Sequence, residues 1–424
     1  MQNRISRFLS LLPVRLVIAV FAILCCCFLI LKSARTGYAK LLARYAMAKT
    51  YLPAANEAAR VSPSDPEVQR NRAAVLNNLR LFSDAKNAQE LATSLRPKDD
   101  YLWLELGLLK DELEDTQGAL AAFNQAVRFA PYYGHTHWQR GNLLLRMGRY
   151  QEAFADLRQA AASNRDYMPN LIDLAWSVSR GDPKRTLQLV EINDDRSRIA
   201  FARFLARQGK AAEALEQYRL AAASVSEENQ RDLVRQLIAA KAFREAFEIW
   251  SRSVELRPDR VPVVYDGGFE GPLSLDETGF GWRVPRESDG ISMSLDATKQ
   301  QTGAKSLRLQ FTGNSTPGGL LLSQIIVVKA QQRYRVSFAV STKDIVTGGL
   351  PMITSSDAAS GQLLGKSANF PQATNTWQVM SFEFTTLPKT DAVILGLQRN
   401  NCSSPPCPIF GFVWLDSISI EEMK

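Results

Sequence analysis

The chain has 424 residues, of which 46% are hydrophobic and 22% charged, and its formal net charge is +8. This length predicts two or three domains, and the composition is typical of a folded chain rather than a disordered one. The basic excess lies near the N-terminus and along the repeats described below. It forms no dense Lys/Arg stripe, so nucleic acid is not an expected partner.

The first element along the chain is an apolar run at residues 16–31. Sixteen helical residues span roughly 24 Å, and a bilayer core is about 30 Å thick. Extending the run to residues 9–31 supplies the missing length if the Arg15 side chain snorkels towards the headgroups. Residues 1–36 therefore predict a short cytoplasmic stub and one uncleaved transmembrane helix.

Two alternatives stay open for this segment. A cleaved signal peptide has a small–x–small site available at Gly37–Ala39, although the apolar run is longer than usual for one. Charge does not settle the orientation of an anchor, because basic residues flank the run on both sides. They are Arg4, Arg7 and Arg15 before it, and Lys32, Arg35, Lys40 and Arg44 after it.

Residues 37–258 carry an internal repeat. Pro63, Pro97 and Pro131 stand 34 residues apart, and small residues keep the same spacing. These small residues are Ala58, Ala92, Ala126 and Ala160; Ala85, Ala119 and Ala153; and Ala73, Gly107 and Gly141. A 34-residue period predicts a solenoid of helical hairpins, in which small residues allow close helix packing and proline ends each second helix.

The best-formed unit resembles a tetratricopeptide repeat. Its matching residues are Trp103, Leu106, Gly107, Ala119, Phe123, Ala126 and Pro131. The next unit departs from this pattern, since His137 replaces the tryptophan, and weaker copies extend to Pro258. The resemblance implies about six to seven hairpins and a concave surface that binds a protein partner. We take four side chains on the inner helices as exposed candidates for this groove: Glu105, Lys110, Gln139 and Arg146.

Residues 259–424 change to period-two alternation. Leu307, Leu309 and Phe311 alternate with polar residues, and similar segments follow around residues 334–340, 380–384 and 393–397. Repeated alternation with turn-rich gaps predicts an antiparallel β-sandwich, and the length suits one jelly roll. The predicted fold class is therefore an all-α solenoid followed by an all-β jelly roll, with one N-terminal transmembrane helix.

An ordered set of short strings makes the β domain more specific. They are Gly267–Glu270, Gly281–Trp282, Gly303–Leu309, Tyr334–Phe338, Trp377–Val379 and Trp414–Ile418. In this order they resemble the galactose-binding-like jelly rolls, especially carbohydrate-binding modules. The resemblance implies glycan contact through aromatic rings, for which Trp282 and Trp414 are the candidates, whereas Trp377 is expected in the core. Phe410, Phe412 and Trp414 share one face of a predicted strand, Val413 and Leu415 share the other, and at least one of the two sets faces the core.

The same resemblance implies a structural calcium ion held by Glu270 and Asp416. Oxygen ligands suit calcium. In the alternative, backbone amides of nearby turns satisfy these two carboxylates. No other cofactor is expected.

The positions of the cysteines indicate in which cellular compartment the body of the protein lies. Cys25, Cys26 and Cys27 lie in the apolar run as small hydrophobic residues. Cys402 and Cys407 lie in a polar loop with no histidine nearby in sequence, which predicts a local disulfide and an oxidising environment. We therefore expect a single-pass bacterial inner-membrane protein whose body faces the periplasm.

The sequence offers little sign of catalysis. The chain has two histidines, His135 and His137, at a spacing that does not place them on one helix face. No phosphate-binding loop or nucleophile elbow occurs. We expect no enzyme but a membrane-anchored scaffold in envelope or exopolysaccharide assembly, whose repeats bind protein and whose jelly roll contacts glycan. A purely protein-interacting assembly factor and, less favoured, a glycan-active envelope enzyme are the alternatives.

Overall fold

The computed structural model describes residues 12–221, 225–257, 259, 261–274, 277–284, 290–313, 317–403 and 406–423, with side chains from residue 17 onward. This part of the chain forms fourteen helices followed by nine strands, which confirms the predicted fold class. It divides into two compact units at Glu191 and Ile192. Some positions used above lie outside the described residues: Arg4, Arg7, the predicted start of the anchor at residues 9–11, Pro258 and Lys424.

The helices of the first unit are α1 (Leu12–Lys49), α2 (Leu52–Val61), α3 (Pro66–Asn78), α4 (Phe82–Leu95), α5 (Asp100–Glu112), α6 (Thr116–Phe129), α7 (Gly134–Arg146), α8 (Tyr150–Ser163), α9 (Met168–Val178) and α10 (Pro183–Val190). The second unit begins with α11 (Asp195–Arg207), α12 (Ala211–Ala221), α13 (Glu227–Ala239) and α14 (Phe243–Ser253).

Helix α1 combines the apolar run with the start of the repeats. Its part Val17–Lys49 is long and apolar enough to cross a membrane, with a mean hydropathy of 2.6 over its most apolar window. The C-terminal end of the same helix is different, because Ala39, Ala43 and Ala46 are buried. Ala39 and Ala43 pack in a cluster with Ala58 of α2 and Val68 of α3. One uninterrupted helix therefore serves as candidate anchor and as part of the first hairpins.

The small residues with the 34-residue period lie where helices touch. Ala58, Ala92, Ala126 and Ala160 are completely buried. A Cβ atom at Gly107 would stand 2.5 Å from the ring of Phe123, so no larger residue fits there without movement. The helix starts follow the same period, since Asp65 and Asp99 accept backbone amide hydrogen bonds at the first turns of α3 and α5. The 34-residue period therefore reflects the need for small residues where neighbouring helices touch.

The periodic prolines have a second role beyond ending helices. Helices α2, α4 and α6 end two residues before Pro63, Pro97 and Pro131. Each proline carbonyl oxygen accepts a hydrogen bond from the side chain six residues later. The donors are Gln69 Nε2 at 2.8 Å, Trp103 Nε1 at 2.9 Å and His137 Nε2 at 2.8 Å. His137 therefore replaces the tryptophan of the pattern with another side chain that donates from the same place.

His137 also forms an ion pair that tryptophan cannot form. Its Nδ1 lies 2.8 Å from Asp156 Oδ1, and Arg140 donates to the same carboxylate. The hydrogen bond with Asp156 raises the pKa of His137, and burial opposes it. Burial alone would raise the pKa of Asp156, but hydrogen bonds from Arg140 and His137 outweigh it and lower that pKa.

We predict that His137 makes the stability of the repeats pH-dependent. Its raised pKa means that its ionic contribution is fully present below the unfolded-state pKa of about 6.5 and is lost as pH rises through the folded-state value. His137→Gln keeps a donor for the Pro131 carbonyl. The difference in free energy of unfolding between the parent and this variant should therefore become smaller as pH rises. His137→Leu loses the same ionic contribution and also leaves that carbonyl unpaired, which should add about 1–3 kcal/mol to its deficit at every pH.

Denaturant unfolding followed by circular dichroism between pH 6 and 9 measures both effects. Gln69→Leu is the matched control, since it removes the equivalent hydrogen bond from a residue that does not titrate. A His137→Gln deficit that stays constant with pH would contradict the prediction.

The strands of the second unit build two facing antiparallel sheets. They are β1 (Ile291–Asp296), β2 (Ser306–Gly313), β3 (Leu320–Val327), β4 (Arg333–Thr347), β5 (Pro351–Asp357), β6 (Leu363–Lys366), β7 (Ala373–Thr385), β8 (Ala392–Arg399) and β9 (Ile409–Glu422). The five-stranded sheet has the order β1-β2-β9-β4-β7, and the four-stranded sheet has the order β3-β8-β5-β6. Apolar side chains from both sheets fill the space between them.

Helix α14 belongs to the same compact unit as the sandwich. Trp250 meets the ring of Tyr265 edge-on at 5.1 Å between centroids, and Phe247 meets Phe280 in the same way at 5.2 Å. Arg244 donates to the carbonyl of Val328 at 2.7 Å. These contacts explain why α14 and the sandwich belong to one compact unit, which begins at residue 192. The domain boundary at 258/259 stays a prediction.

The loop before β9 contains the two cysteines outside the apolar run. Cys402 and Cys407 are joined by a disulfide in the structure. The buried side chain of Arg399 lies under this loop and donates to the carbonyls of Gly349 at 3.2 Å and Cys407 at 2.9 Å. Burial lowers the pKa of this guanidinium. The disulfide joins two positions of this loop, and the buried arginine connects Cys407 with Gly349.

Candidate functional site

The four candidate residues of the repeat groove differ in their surroundings. Glu105 is half-buried and accepts two hydrogen bonds from Arg70, at 2.8 and 3.0 Å. Lys110 is also half-buried and lies 3.2 Å from Glu90, so neither is the freely exposed side chain that the sequence suggests. Arg146 is more exposed and pairs with Asp111, while Gln139 is half-buried. Three of the four therefore connect neighbouring helices.

Glu105 also lines a groove of about 340 Å³ on α3 and α5, which we call the repeat groove. Its other lining residues are Ala73, Ala74, Asn77, Asn78, Gln89, Tyr101, Leu108, Leu109, Asp111 and Glu112. Tyr101 is partly exposed, with the guanidinium of Arg70 at 4.5 Å from its ring centroid. The groove thus combines small apolar residues, carboxamides, one aromatic ring and three carboxylates. Such a surface suits an extended segment that carries positive charge.

Trp282 lies in the core of the sandwich. Its ring is 6% exposed and stacks on Phe269 at 5.2 Å between centroids. Its Nε1 donates to the carbonyl of Asp266 at 3.0 Å. The sequence predicts Trp282 as a glycan contact, but the structure buries its ring against Phe269, where a sugar cannot stack on it. The position corrects that expectation.

Strand β9 has its aliphatic residues on the core side and its aromatic residues on the other side. Val413 and Leu415 point into the core, so Phe410, Phe412 and Trp414 line the outer face of the five-stranded sheet. Phe410 is 49% exposed, Phe412 is half-buried and Trp414 is 6% exposed. The burial of Trp414 arises above the sheet, from neighbouring side chains on the outer face.

Two cations cover these outer rings. Lys299 Nζ stands 3.8 Å from the ring centroid of Trp414, and the Arg308 guanidinium stands 4.7 Å from that of Phe412. Lys343 is the direct cross-strand partner of Phe412 and therefore shares its face. Phe410, Phe412 and Trp414 with Lys299, Arg308 and Lys343 form what we call the cationic face. The ring of Trp414 is thereby covered, and a sugar cannot stack on it in this arrangement.

A groove of about 440 Å³ adjoins the cationic face. We call it the Trp377 groove, and it is lined by Thr298, Lys299, Gln300, Thr374, Asn375, Thr376 and Trp377. Trp377 is half-buried here, whereas the sequence predicts a core position for it. The core-facing residues of β7 are instead Phe382 and Phe384, and Trp377 alternates to the other side. Hydroxyl and amide groups beside one indole ring are the groups that bind sugars.

The carboxylate of Asp296, beside this groove, accepts three hydrogen bonds. It accepts from Trp414 Nε1 at 2.9 Å and from the amide and hydroxyl of Thr298. Hydrogen bonds from Thr298 and then from Trp414 lower the pKa of this carboxyl group. Asp296 therefore fixes the position of the Trp414 indole and of the loop that carries Lys299.

Glu270 and Asp416, the candidate calcium ligands, both lie close to Gly268. Glu270 Oε1 accepts from the amides of Ala304 and Lys305, and Asp416 Oδ2 accepts from those of Gln301 and Thr302. Among the described residues, no three His, Cys, Asp or Glu side chains converge as metal ligands would.

These contacts match the alternative in which turn amides satisfy the two carboxylates. The ammonium group of Lys305, at 3.1 Å from the Glu270 carbonyl, adds a positive charge where a cation would bind. The donor set therefore favours the turn-amide alternative over calcium at Glu270 and Asp416, and the measurement below distinguishes the two.

We expect chelation to leave the protein's thermal stability unchanged, because backbone amides already compensate both carboxylates. Differential scanning calorimetry of the full chain with excess EDTA and with excess Ca²⁺ measures this. Asp416→Asn should lower Tm in both buffers alike, since it weakens two amide hydrogen bonds. A loss of several degrees with EDTA that Ca²⁺ restores would support the metal site instead.

The second unit matches a known family. Residues 261–404 match the model of a carbohydrate-binding domain, CBM_4_9. A solved structure described as "CBM4 structure and function" is similar over 38% of this chain and 99% of that chain, at 9% identity and a TM-score of 0.29. The sandwich therefore lies largely within the region that matches this domain model.

The helical region is similar to tetratricopeptide-repeat proteins of known structure. The crystal structure of MamA covers 46% of this chain and 97% of that chain at 14% identity and a TM-score of 0.34. PilW, described as a type IV pilus biogenesis factor, covers 46% and 96% at 19% identity and a TM-score of 0.32. These similarities are too low to say anything about function.

One curated relative shares a short segment. Protein FlbA of Caulobacter vibrioides is 29% identical over 101 residues, which is 24% of this chain and 17% of that protein. The chain therefore spans less than a fifth of that relative's length.

Proposed function

We propose that this protein is a non-enzymatic, membrane-anchored scaffold of the bacterial envelope that binds a protein partner through its repeats and a glycan through its β-sandwich. The observation that carries the proposal is the carbohydrate-binding family match over residues 261–404, on a sandwich that bears the Trp377 groove. The repeat array adds a second, separate binding surface. A role in exopolysaccharide or envelope assembly would use both surfaces at once.

The glycan site in this proposal is the Trp377 groove. Trp377 offers part of one ring face, and Asn375, Gln300 and the threonines beside it offer donors and acceptors for sugar hydroxyl groups. The groove is open and shallow, so ordering and desolvation consume much of the binding energy. We expect dissociation constants on the order of 10 μM to 1 mM.

Trp377→Ala should weaken glycan binding at least about fivefold, because stacking on an aromatic ring is worth about 1 kcal/mol or more. The measurement is a glycan array followed by affinity electrophoresis with the full chain in detergent. Tyr132→Ala, which removes an exposed ring from the first unit, is the matched control. A folded protein that retains no glycan at all would favour the purely protein-interacting assembly factor.

The protein site in this proposal is the repeat groove. Its carboxylates Glu105, Asp111 and Glu112 favour an extended partner segment with positive charge. Glu105 and Asp111 also hold Arg70 and Arg146, so Glu112 is the carboxylate with most freedom to meet a ligand.

A photo-crosslinking amino acid at Tyr101 should capture a discrete envelope protein in cells, and Glu112→Gln in the same chain should weaken that capture by removing one attractive charge. The same crosslinker at Leu91, an exposed residue of α4, is the control position. Capture that is equal at both positions would place the partner elsewhere.

The proposed location is the inner membrane, with α1 as anchor and the body in the periplasm. Support comes from the apolar part of α1 and from the disulfide-forming pair Cys402 and Cys407. A reporter that is active only outside the cytoplasm should be active when fused to the C-terminus. Mass spectrometry of envelope fractions should find Cys402 and Cys407 oxidised, whereas a reduced pair and an inactive reporter would contradict this topology.

A further inference from the structure

The charges on the outer sheet face are unbalanced. Lys299, Arg308 and Lys343 all belong to the cationic face, and Asp296 is already bound by Trp414 and Thr298. Asp344, next to Lys343, accepts a hydrogen bond from Thr374 Oγ1 at 3.0 Å. Neither carboxylate forms an ion pair with Lys299, Arg308 or Lys343 within the described part of the chain. Three positive side chains therefore converge, and the nearby Asp296 carboxylate, whose charge acts on Lys299 and Arg308, offsets only part of their charge.

Arg308 gives independent support for a missing anionic partner. Its Nε atom is buried and has no hydrogen-bond partner among the described residues. An unpaired buried donor on a charged group is costly, and proteins rarely keep one without a reason. The guanidinium plane over Phe412 is held in place by the ring, which leaves its remaining N–H groups to meet a ligand.

Lys299 and Lys343 lie close enough to repel each other. Burial, followed by repulsion from Lys343, lowers the pKa of Lys299. An anion bound between the two ammonium groups would relieve this repulsion, as opposite charges favour the ionised form. Lys299 also lines the Trp377 groove, so the same residue belongs to the groove and to the cationic face.

We propose that the glycan bound by this domain is an acidic polysaccharide, whose carboxylate groups lie on Lys299, Arg308 and Lys343 while its sugar rings occupy the Trp377 groove. This inference rests on the proposed function and specifies its ligand class. The cations over Trp414 and Phe412 favour this ligand class, because a neutral sugar cannot stack on these two covered rings. A carboxylate-bearing chain meets those cations directly.

The test compares polygalacturonate with its fully methyl-esterified form, which keeps the same backbone but removes the charge. With the full chain in neutral detergent, affinity electrophoresis should show binding to the acid at least about tenfold tighter than to the ester. Raising NaCl from about 50 to 500 mM should weaken only the binding of the acid, since added salt screens exposed charges. Alginate and hyaluronate extend the acidic set.

Arg308→Gln combined with Lys343→Gln should weaken binding of the acidic polymer by roughly tenfold or more and leave binding of the ester unchanged. Lys366→Gln, which removes an exposed charge from β6 in the other sheet, is the matched control and should have no effect. Circular dichroism verifies that both variants fold. Acid binding that survives the double change would overturn the assignment of the cationic face.

The other outcomes separate this inference from the proposed function. Equal binding of acid and ester, or binding of neutral glycans alone, overturns the acidic ligand and leaves glycan binding in place. Binding of no glycan of either class overturns both. Stronger binding of single-stranded DNA or of anionic lipid vesicles than of any acidic polysaccharide would also overturn the inference, because the face would then be a general polyanion surface.

Discussion

Close approach of helices is the constraint on which the repeat unit depends. Two helices with an alanine or glycine at their crossing can approach closely, because no large side chain separates their backbones. The completely buried residues at these crossings are Ala58, Ala92, Ala126 and Ala160. Such packing brings the end of one hairpin against the start of the next, and the carbonyl of each periodic proline then needs a donor. Gln69, Trp103 and His137 supply it, so the small residues and the donors are two parts of one geometry.

This geometry explains how much of the repeat unit the sequence could predict. The period, the helix ends at the prolines and the buried small residues follow from local patterns, since they depend on residue size and on backbone chemistry. The replacement of tryptophan by His137 looks like decay of the pattern until the shared acceptor, Pro131, is visible. Pairings such as Arg70 with Glu105 join residues 35 positions apart, and nothing in either local segment indicates them.

The β unit shows a different limit of sequence reasoning. Alternation predicts which residues of a strand share a face, but not which face is covered by side chains from other strands. Trp282 lies outside the named strands and Trp377 lies at a register shift in β7, so alternation does not indicate where either ring points. Lys299 and Arg308 are distant in sequence from Trp414 and Phe412, and only the neighbouring positions of β2, β9 and the loop after β1 bring them together.

Because α1 is one continuous helix, any tilt of its apolar stretch is transmitted to the first hairpins. A helix of 38 residues is a rod of roughly 57 Å at 1.5 Å per residue, and no loop separates its apolar stretch from the alanines that pack on α2 and α3. If the apolar stretch tilts to match bilayer thickness, the first hairpins must lean by the same angle. The thickness of a membrane around α1 would then set the direction in which these first hairpins point.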